Sequence, residues 1–112
     1  MAELSEAWVL EAVGGPALVP PMLQLRAGQV LGRGPENDWI LADALVSRRH
    51  LQIEARADRW YVRDLGSRAG TLLNEHPLPA ELATPIQLHD RLRIGPYRLR
   101  VRPASSGAPA NS

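Results

Sequence analysis

Three short segments of this 112-residue chain combine glycine, serine and arginine in ways that suit the binding of an anion. The first is Gly32-Arg33-Gly34, in which the glycines allow a sharp turn that presents an arginine at the surface. The second is Ser47-Arg48-Arg49-His50, in which guanidinium groups supply charge and paired donors and the serine hydroxyl adds one short hydrogen bond. Together these groups could bind a phosphate.

The third segment is Ser67-Arg68-Ala69-Gly70-Thr71, a polar glycine-containing loop before an apolar pair. Successive backbone N–H groups in such a loop can form a nest for an anion. Each segment also has an ordinary interpretation, as a turn beside a solvated arginine, a serine that caps a loop, or a hairpin connection. No single segment decides between the two interpretations.

Charge and composition limit the classes of function. The net charge is only +1, which argues against a nucleic-acid binder that works by neutralising phosphates, and all 13 basic residues are arginine. There is no cysteine, so disulfides and thiolate metal sites are excluded and a cytoplasmic location is expected. The histidines at positions 50, 76 and 89 lack metal-ligand spacing, and no apolar stretch is long enough for a membrane span. We therefore predict no metal, cofactor, nucleic acid or membrane as a partner.

The elements that must position these segments are short strands. Apolar or alternating runs recur at close spacing, are broken by Gly, Pro, Asn and Asp, and hold no helical period. The pattern predicts an all-β sandwich or barrel with ten strands, at residues 8–13, 22–25, 29–33, 39–41, 50–55, 60–64, 71–73, 85–88, 91–94 and 97–101. In this arrangement the three candidate segments are loops.

The chain divides into one domain and a tail. Residues 1–102 have the composition of a single globular domain, whereas residues 103–112 are small, polar or Pro/Gly and predict a flexible linker or tail. We expect the domain to be part of a longer multidomain protein.

In their order and spacing, the three segments resemble the forkhead-associated (FHA) domain, of the bacterial type. The resemblance rests on Gly32-Arg33, on Ser47-x-x-His50 and on the run from Asp64 to Asn74 that reads DLGSRAGTLLN, and it extends over about residues 7 to 102. It implies a β-sandwich of about eleven mostly antiparallel strands. It also implies a module that binds phosphothreonine in a partner protein, with a serine/threonine kinase or its substrate as the expected partner.

The resemblance also implies roles for individual residues. Arg33 and Ser47 would contact the phosphate, Arg48 would add a second charge, and the loop carrying Ser67, Arg68 and Ala69 would lie against the peptide, with the backbone N–H of Arg68 next to the phosphate. A second group would shape the loops rather than touch the ligand: Gly32, His50, Gly70, Thr71 and Asn74.

Two alternatives accompany this prediction. The family usually has asparagine at the position of Ala69, and alanine cannot make that side chain's bonds to the peptide, which leaves open a phosphate-independent interaction or self-association module on the same fold. A hydrolase could be built from Ser47, His50 and Asp64, but the chain has no Gly-x-Ser-x-Gly elbow. We predict that it is not an enzyme.

Overall fold

The computed structural model describes residues 7–104. These residues form eleven strands: β1 Trp8–Gly14, β2 Met22–Gln24, β3 Val30–Gly32, β4 Trp39–Ile40, β5 Leu51–Arg56, β6 Arg59–Asp64, β7 Leu72–Leu73, β8 His76–Pro77, β9 Thr84–Pro85, β10 Arg91–Ile94 and β11 Tyr97–Pro103.

The strands form two sheets. One has six strands in the order β2-β1-β11-β10-β7-β8, and the other has five in the order β4-β3-β5-β6-β9. The strands pair antiparallel except β3 and β4, which are parallel. The predicted all-β sandwich of about eleven mostly antiparallel strands is confirmed.

Alternation along the strands builds the core. In β10, Leu92 and Ile94 are buried while the alternating arginines are exposed, and in β5 Leu51 and Ile53 are fully buried. The inner faces of the two sheets therefore supply one continuous apolar layer, in which Trp39 of β4 is the largest fully buried side chain. This packed layer fixes the strand ends from which the three candidate loops emerge.

Two elements differ from the sequence-based prediction. The strand expected at 85–88 is only Thr84–Pro85, because the chain turns after Ile86 and the Asp90 carboxylate accepts the backbone N–H of Gln87. Strand β8 was not predicted. It pairs with β7 across a two-residue turn at Asn74 and Glu75, both of which have positive φ.

The ends of the described chain lie side by side. β11 continues to Pro103, and Ala104 donates its N–H to the carbonyl of Ala7, so the first two residues of the predicted tail pack along the domain. Residues 105–112 of that tail, and residues 1–6, lie outside the described residues. Between residues 7 and 104 no helix has the length and apolar character needed to span a membrane.

Candidate functional site

The backbone joins the first two candidate loops directly. Arg33 donates its N–H to the carbonyl of Ser47 at 2.9 Å, and its Nε donates to the carbonyl of Val46, also at 2.9 Å. The exposed guanidinium is thus tethered through Nε, while its two Nη groups make no hydrogen bond within residues 7–104. The two Nη groups of Arg33 therefore remain available to bind an anion near Ser47.

Glycine is required at position 32 by a close approach of the backbone. A Cβ there would collide with the carbonyl of Arg48 and approach the amide of Asn37 to 2.9 Å. That carbonyl accepts the N–H of Gly34 at 3.1 Å and the Asn37 side-chain amide at 2.6 Å. Sequence reasoning missed the bracing role of Asn37, for which a polar residue after a Gly-Arg-Gly turn is only a weak signal.

The hydroxyl of Ser47 joins the second loop to the third. Its oxygen accepts the backbone N–H of Arg68 at 3.0 Å. A hydroxyl has one hydrogen to donate, and here it acts as an acceptor, so its hydrogen stays available for an anion. The Arg68 N–H and the Ser47 hydroxyl therefore lie together at the junction of the two loops.

The buried imidazole of His50 also joins the second loop to the third through hydrogen bonds. Nδ1 accepts the N–H of Ser47 at 3.0 Å, which leaves Nε2 as the protonated nitrogen and donor to the carbonyl of Gly70 at 3.0 Å. Burial lowers the pKa of His50, and the Gly70 carbonyl and the Asp64 carboxylate, 3.8 Å away, offset this only in part. The neutral ring is therefore the form that the site holds.

Asp64 organises the third loop. This carboxylate, 2% exposed, accepts the hydroxyls of Ser67 at 2.6 Å and Thr71 at 2.7 Å, and the N–H of Ser67 at 2.9 Å. Burial raises its pKa, but these hydrogen bonds together outweigh burial and hold the pKa below the usual range. Asp64 belongs to the motif of the third segment, yet its central position was not predicted.

Ser67 is occupied by this network. Its hydroxyl donates its single hydrogen to Asp64 and accepts the N–H of Gly70 at 3.0 Å. In this structure the Ser67 hydroxyl therefore has no free hydrogen, and its bonds shape the third loop. Gly70, at φ +82°, supplies the backbone conformation that this bend requires.

The remaining predicted residues are exposed on the three loops, except Asn74. Arg48 is exposed and its Nε lies 3.4 Å from the Glu36 carboxylate, while Arg68 and Ala69 are exposed on the third loop. Asn74 lies apart from the three loops: it binds Asp90 and the backbone of Arg91 at 2.9 Å each and thereby supports the β7–β8 turn. Hydrogen bonds join the three loops into one surface, whereas the bonds of Asn74 stabilise the neighbouring β7–β8 turn.

The assembled surface suits an anion. Four exposed arginines stand on the three loops, with Glu36 as the ion-pair partner of one of them: Arg33, Arg48, Arg49 and Arg68. Within residues 7–104 no cluster of three or more His, Asp or Glu side chains could hold a metal ion, and no hydrogen bond joins the Ser47 hydroxyl to the imidazole of His50. The geometry favours anion binding over nucleophilic chemistry.

Comparisons with known proteins identify the family of this chain. The FHA domain model matches residues 29–95. The oxoglutarate dehydrogenase inhibitor of Corynebacterium glutamicum is 40% identical over 68 residues, which are 61% of this chain and 46% of that protein. An FHA domain-containing protein of Arabidopsis thaliana is 36% identical over 77 residues, 69% of this chain but 19% of that protein.

A solved structure from a structural and functional study of phosphothreonine-dependent FHA domain interactions superimposes with a TM-score of 0.74 and 31% identity, over 86% of this chain and 95% of that one. This chain thus corresponds to most of a solved FHA domain but spans less than half the length of either curated relative.

Proposed function

Because this chain belongs to the FHA domain family, we propose that it is a binding module for phosphothreonine in a partner protein, with the phosphate held by Arg33 and Ser47. The observation that carries the proposal is the Ser47 hydroxyl, which accepts the Arg68 N–H at 3.0 Å and keeps its own hydrogen, while Arg33 binds the carbonyls of Val46 and Ser47. Donors of three kinds, a hydroxyl, a guanidinium and a backbone amide, converge there.

The chemistry matches a phosphate monoester. Such a group carries about −1.5 to −2 charges at neutral pH and three acceptor oxygens. A guanidinium is ionised at all relevant pH values and offers paired donors, while Ser47 adds one directional bond. An oxygen placed against Ser47 also lies near the Arg68 N–H, which can then exchange the serine oxygen for the ligand. Arg48 adds charge once it leaves Glu36, an exposed pair that is weak in water.

The third loop offers less to the rest of the peptide. Ala69 is exposed at the position where the family usually has asparagine, and its methyl group makes no hydrogen bond. We therefore propose that phosphate capture dominates the affinity and that the hold on the flanking peptide backbone is weak.

Calorimetry with a threonine peptide in phosphorylated and plain forms tests the proposal. The peptide is the best binder selected from a degenerate phosphothreonine library. We expect binding of the phosphorylated form alone. Equal affinity for the two forms, or binding of neither, would favour the phosphate-independent interaction or self-association module on the same fold.

The proposed function also includes a role in signalling. We infer a non-catalytic module that acts in serine/threonine kinase signalling, with a kinase or one of its substrates as the partner, in the cytoplasm. The inhibitor role of the Corynebacterium relative belongs to a protein of which this chain spans 46%, so it is not carried over. Incubation with generic ester and phosphate substrates tests the absence of catalysis, and turnover above background would contradict it.

A further inference from the structure

Five arginines lie on the outer surface of the six-stranded sheet, on the neighbouring strands β10 and β11, and form what we call the arginine face: Arg91, Arg93, Arg98, Arg100 and Arg102. The strand register sets Arg91 opposite Arg100 and Arg93 opposite Arg98. Like charges directly opposite one another destabilise a sheet. The two facing pairs therefore weaken the sheet, and in the described part of the sheet only Arg100 has a carboxylate residue, Glu11 of β1, opposite it on its other side.

The sheet itself supplies too few carboxylates to cover this charge. Arg102 lies 2.9 Å from the Glu11 carboxylate and Arg93 lies 3.8 Å from that of Glu75, whereas the other three arginines have no ion-pair partner within residues 7–104. Five positive charges against two negative ones leave an excess of three on this face, while the whole chain carries only +1. This face therefore carries more positive charge than the chain as a whole.

Arg98 is held in place by packing rather than by an acid. Its guanidinium lies over Gly14, where a Cβ would come within 3.0 Å of Cζ. Beside it a cleft of about 70 Å³ opens, lined among others by Val13, Leu72 and Arg93. Val13 is 51% exposed, so an apolar wall adjoins an unpaired guanidinium. Glu75, which pairs with Arg93, also lines this cleft, so the cleft offers a small apolar contact beside the Arg98 guanidinium.

The arginine face begins next to the proposed phosphate site. Leu72 lies opposite Arg93 in the sheet and directly follows Thr71 of the third loop. The β10–β11 turn also contacts the second loop, since a Cβ on Gly95 would lie 3.3 Å from side-chain atoms of Leu45 and Val46. Since Leu72 is one residue beyond the third loop, roughly 3.3 Å of extended chain, a peptide that leaves the loops can continue onto this face.

We propose that the arginine face binds an acidic segment of the phosphothreonine partner, a few residues along the chain from the phosphorylated side chain. The proposal rests on the proposed function for its choice of partner. Nucleic acid fits less well, because three uncompensated charges fall short of the roughly six to ten phosphate contacts of a duplex binder, and the described face offers no aromatic ring for stacking.

The test compares peptides that differ only in charge. The library-selected phosphothreonine peptide is extended at either end by an Asp/Glu segment or by the matching Asn/Gln segment, and affinities are measured at low and moderate salt. We expect at least one acidic extension to raise the affinity about fivefold, with a steeper salt dependence, and the double variant Arg98→Gln/Arg100→Gln to abolish that gain. The matched control is Arg26→Gln/Arg59→Gln, two exposed arginines away from the face, and it should keep the gain.

An acidic peptide without phosphothreonine separates this proposal from the phosphate site. Titrated into ¹⁵N-labelled protein, it should shift the amides of β10 and β11 in the wild type and not in Arg98→Gln/Arg100→Gln, whether or not the short phosphopeptide binds. Shifts confined to the three loops, an equal gain from the Asn/Gln extension, or tighter binding of an oligonucleotide of equal charge would overturn it. Failure of the short phosphorylated peptide to bind would instead overturn the proposed function.

Discussion

At the residue scale, His50 couples the stability of the site to pH. Both ring nitrogens are engaged, Nδ1 with the N–H of Ser47 and Nε2 with the carbonyl of Gly70, and burial lowers the pKa of the ring. Protonation would add a hydrogen to Nδ1, where it would face the Ser47 N–H that Nδ1 now accepts. The link between the two loops therefore requires the neutral imidazole.

This link predicts an acid-sensitive stability. The folded state holds His50 with a pKa below the ordinary value of 6.5, so the unfolded chain takes up its proton first as the pH falls. The contribution is present above about pH 6.5 and is lost progressively down to the folded pKa. Urea unfolding between pH 8 and pH 5 should show this loss in the wild type and a smaller slope in His50→Gln. Equal slopes would contradict the assignment.

Ala69 allows a gain-of-function test on the third loop. Ala69→Asn places an amide where the family usually has one, and one or two new hydrogen bonds at about 0.5–1.5 kcal/mol each should raise phosphopeptide affinity roughly three- to tenfold. Calorimetry with the library-selected peptide measures the change. Ala57→Asn, in the distant β5–β6 turn, is the matched control and should leave the affinity unchanged. No gain would mean that Ala69 does not face the peptide.

The meeting of the three loops was predictable from the sequence, whereas some of their hydrogen bonds were not. The spacing of the three segments predicted that Arg33, Ser47 and the third loop would meet, and the structure brings them together. The hydrogen-bond direction at Ser67 could not be predicted, because the same serine can face a ligand or a buried carboxylate such as Asp64. Asn37 was missed because its partners are carbonyls, which carry no sequence signal.

At the element scale, the β7–β8 turn carries local strain. Its two central residues, Asn74 at φ 51° and Glu75 at φ 70°, both adopt the left-handed region, which costs roughly 1–2 kcal/mol for a non-glycine residue. Asparagine tolerates that region better, and Asn74 gains bonds to Asp90 and Arg91. Glu75 has only a 3.8 Å ion pair with Arg93, on the surface.

Glu75→Gly should therefore stabilise the domain by about 0.5–1 kcal/mol, because glycine adopts the turn without strain. Chemical denaturation at neutral pH measures the gain, and Glu75→Gln is the control that removes the ion pair while keeping the strained backbone. A loss of stability in Glu75→Gly beyond that of Glu75→Gln would show that the turn is not strained.

The same turn explains why β8 escaped prediction. His76–Pro77 has neither alternation nor β-branched residues, and it forms a strand only because Asn74 fixes the register of Leu72 opposite Pro77. Conversely, the apolar run 85–88 looked like a longer strand, but Asp90 turns the backbone at Gln87. Long alternating strands such as β10 were predictable from the sequence, whereas two-residue strands depend on their partners.

At the scale of the whole molecule, the sandwich serves as a rigid support. Buried positions on both sheets hold the strand ends fixed, and the charge is distributed over the surface of that support: four exposed arginines on the three loops and five on the arginine face. The all-β class and the antiparallel pattern followed from alternation in the sequence. The pairing of β1 with both β2 and β11 did not, since contacts between the chain ends leave no local pattern.

The affinity of Arg33→Ala for the library-selected phosphothreonine peptide tests the central claim most directly. Arg59→Ala, at an exposed arginine of β6 that lies outside the three loops, serves as the matched control. A lost charge-assisted partner costs about 1.5–3 kcal/mol, so Arg33→Ala should weaken binding at least roughly tenfold while Arg59→Ala leaves it unchanged. Unchanged affinity in a folded Arg33→Ala protein would contradict the account.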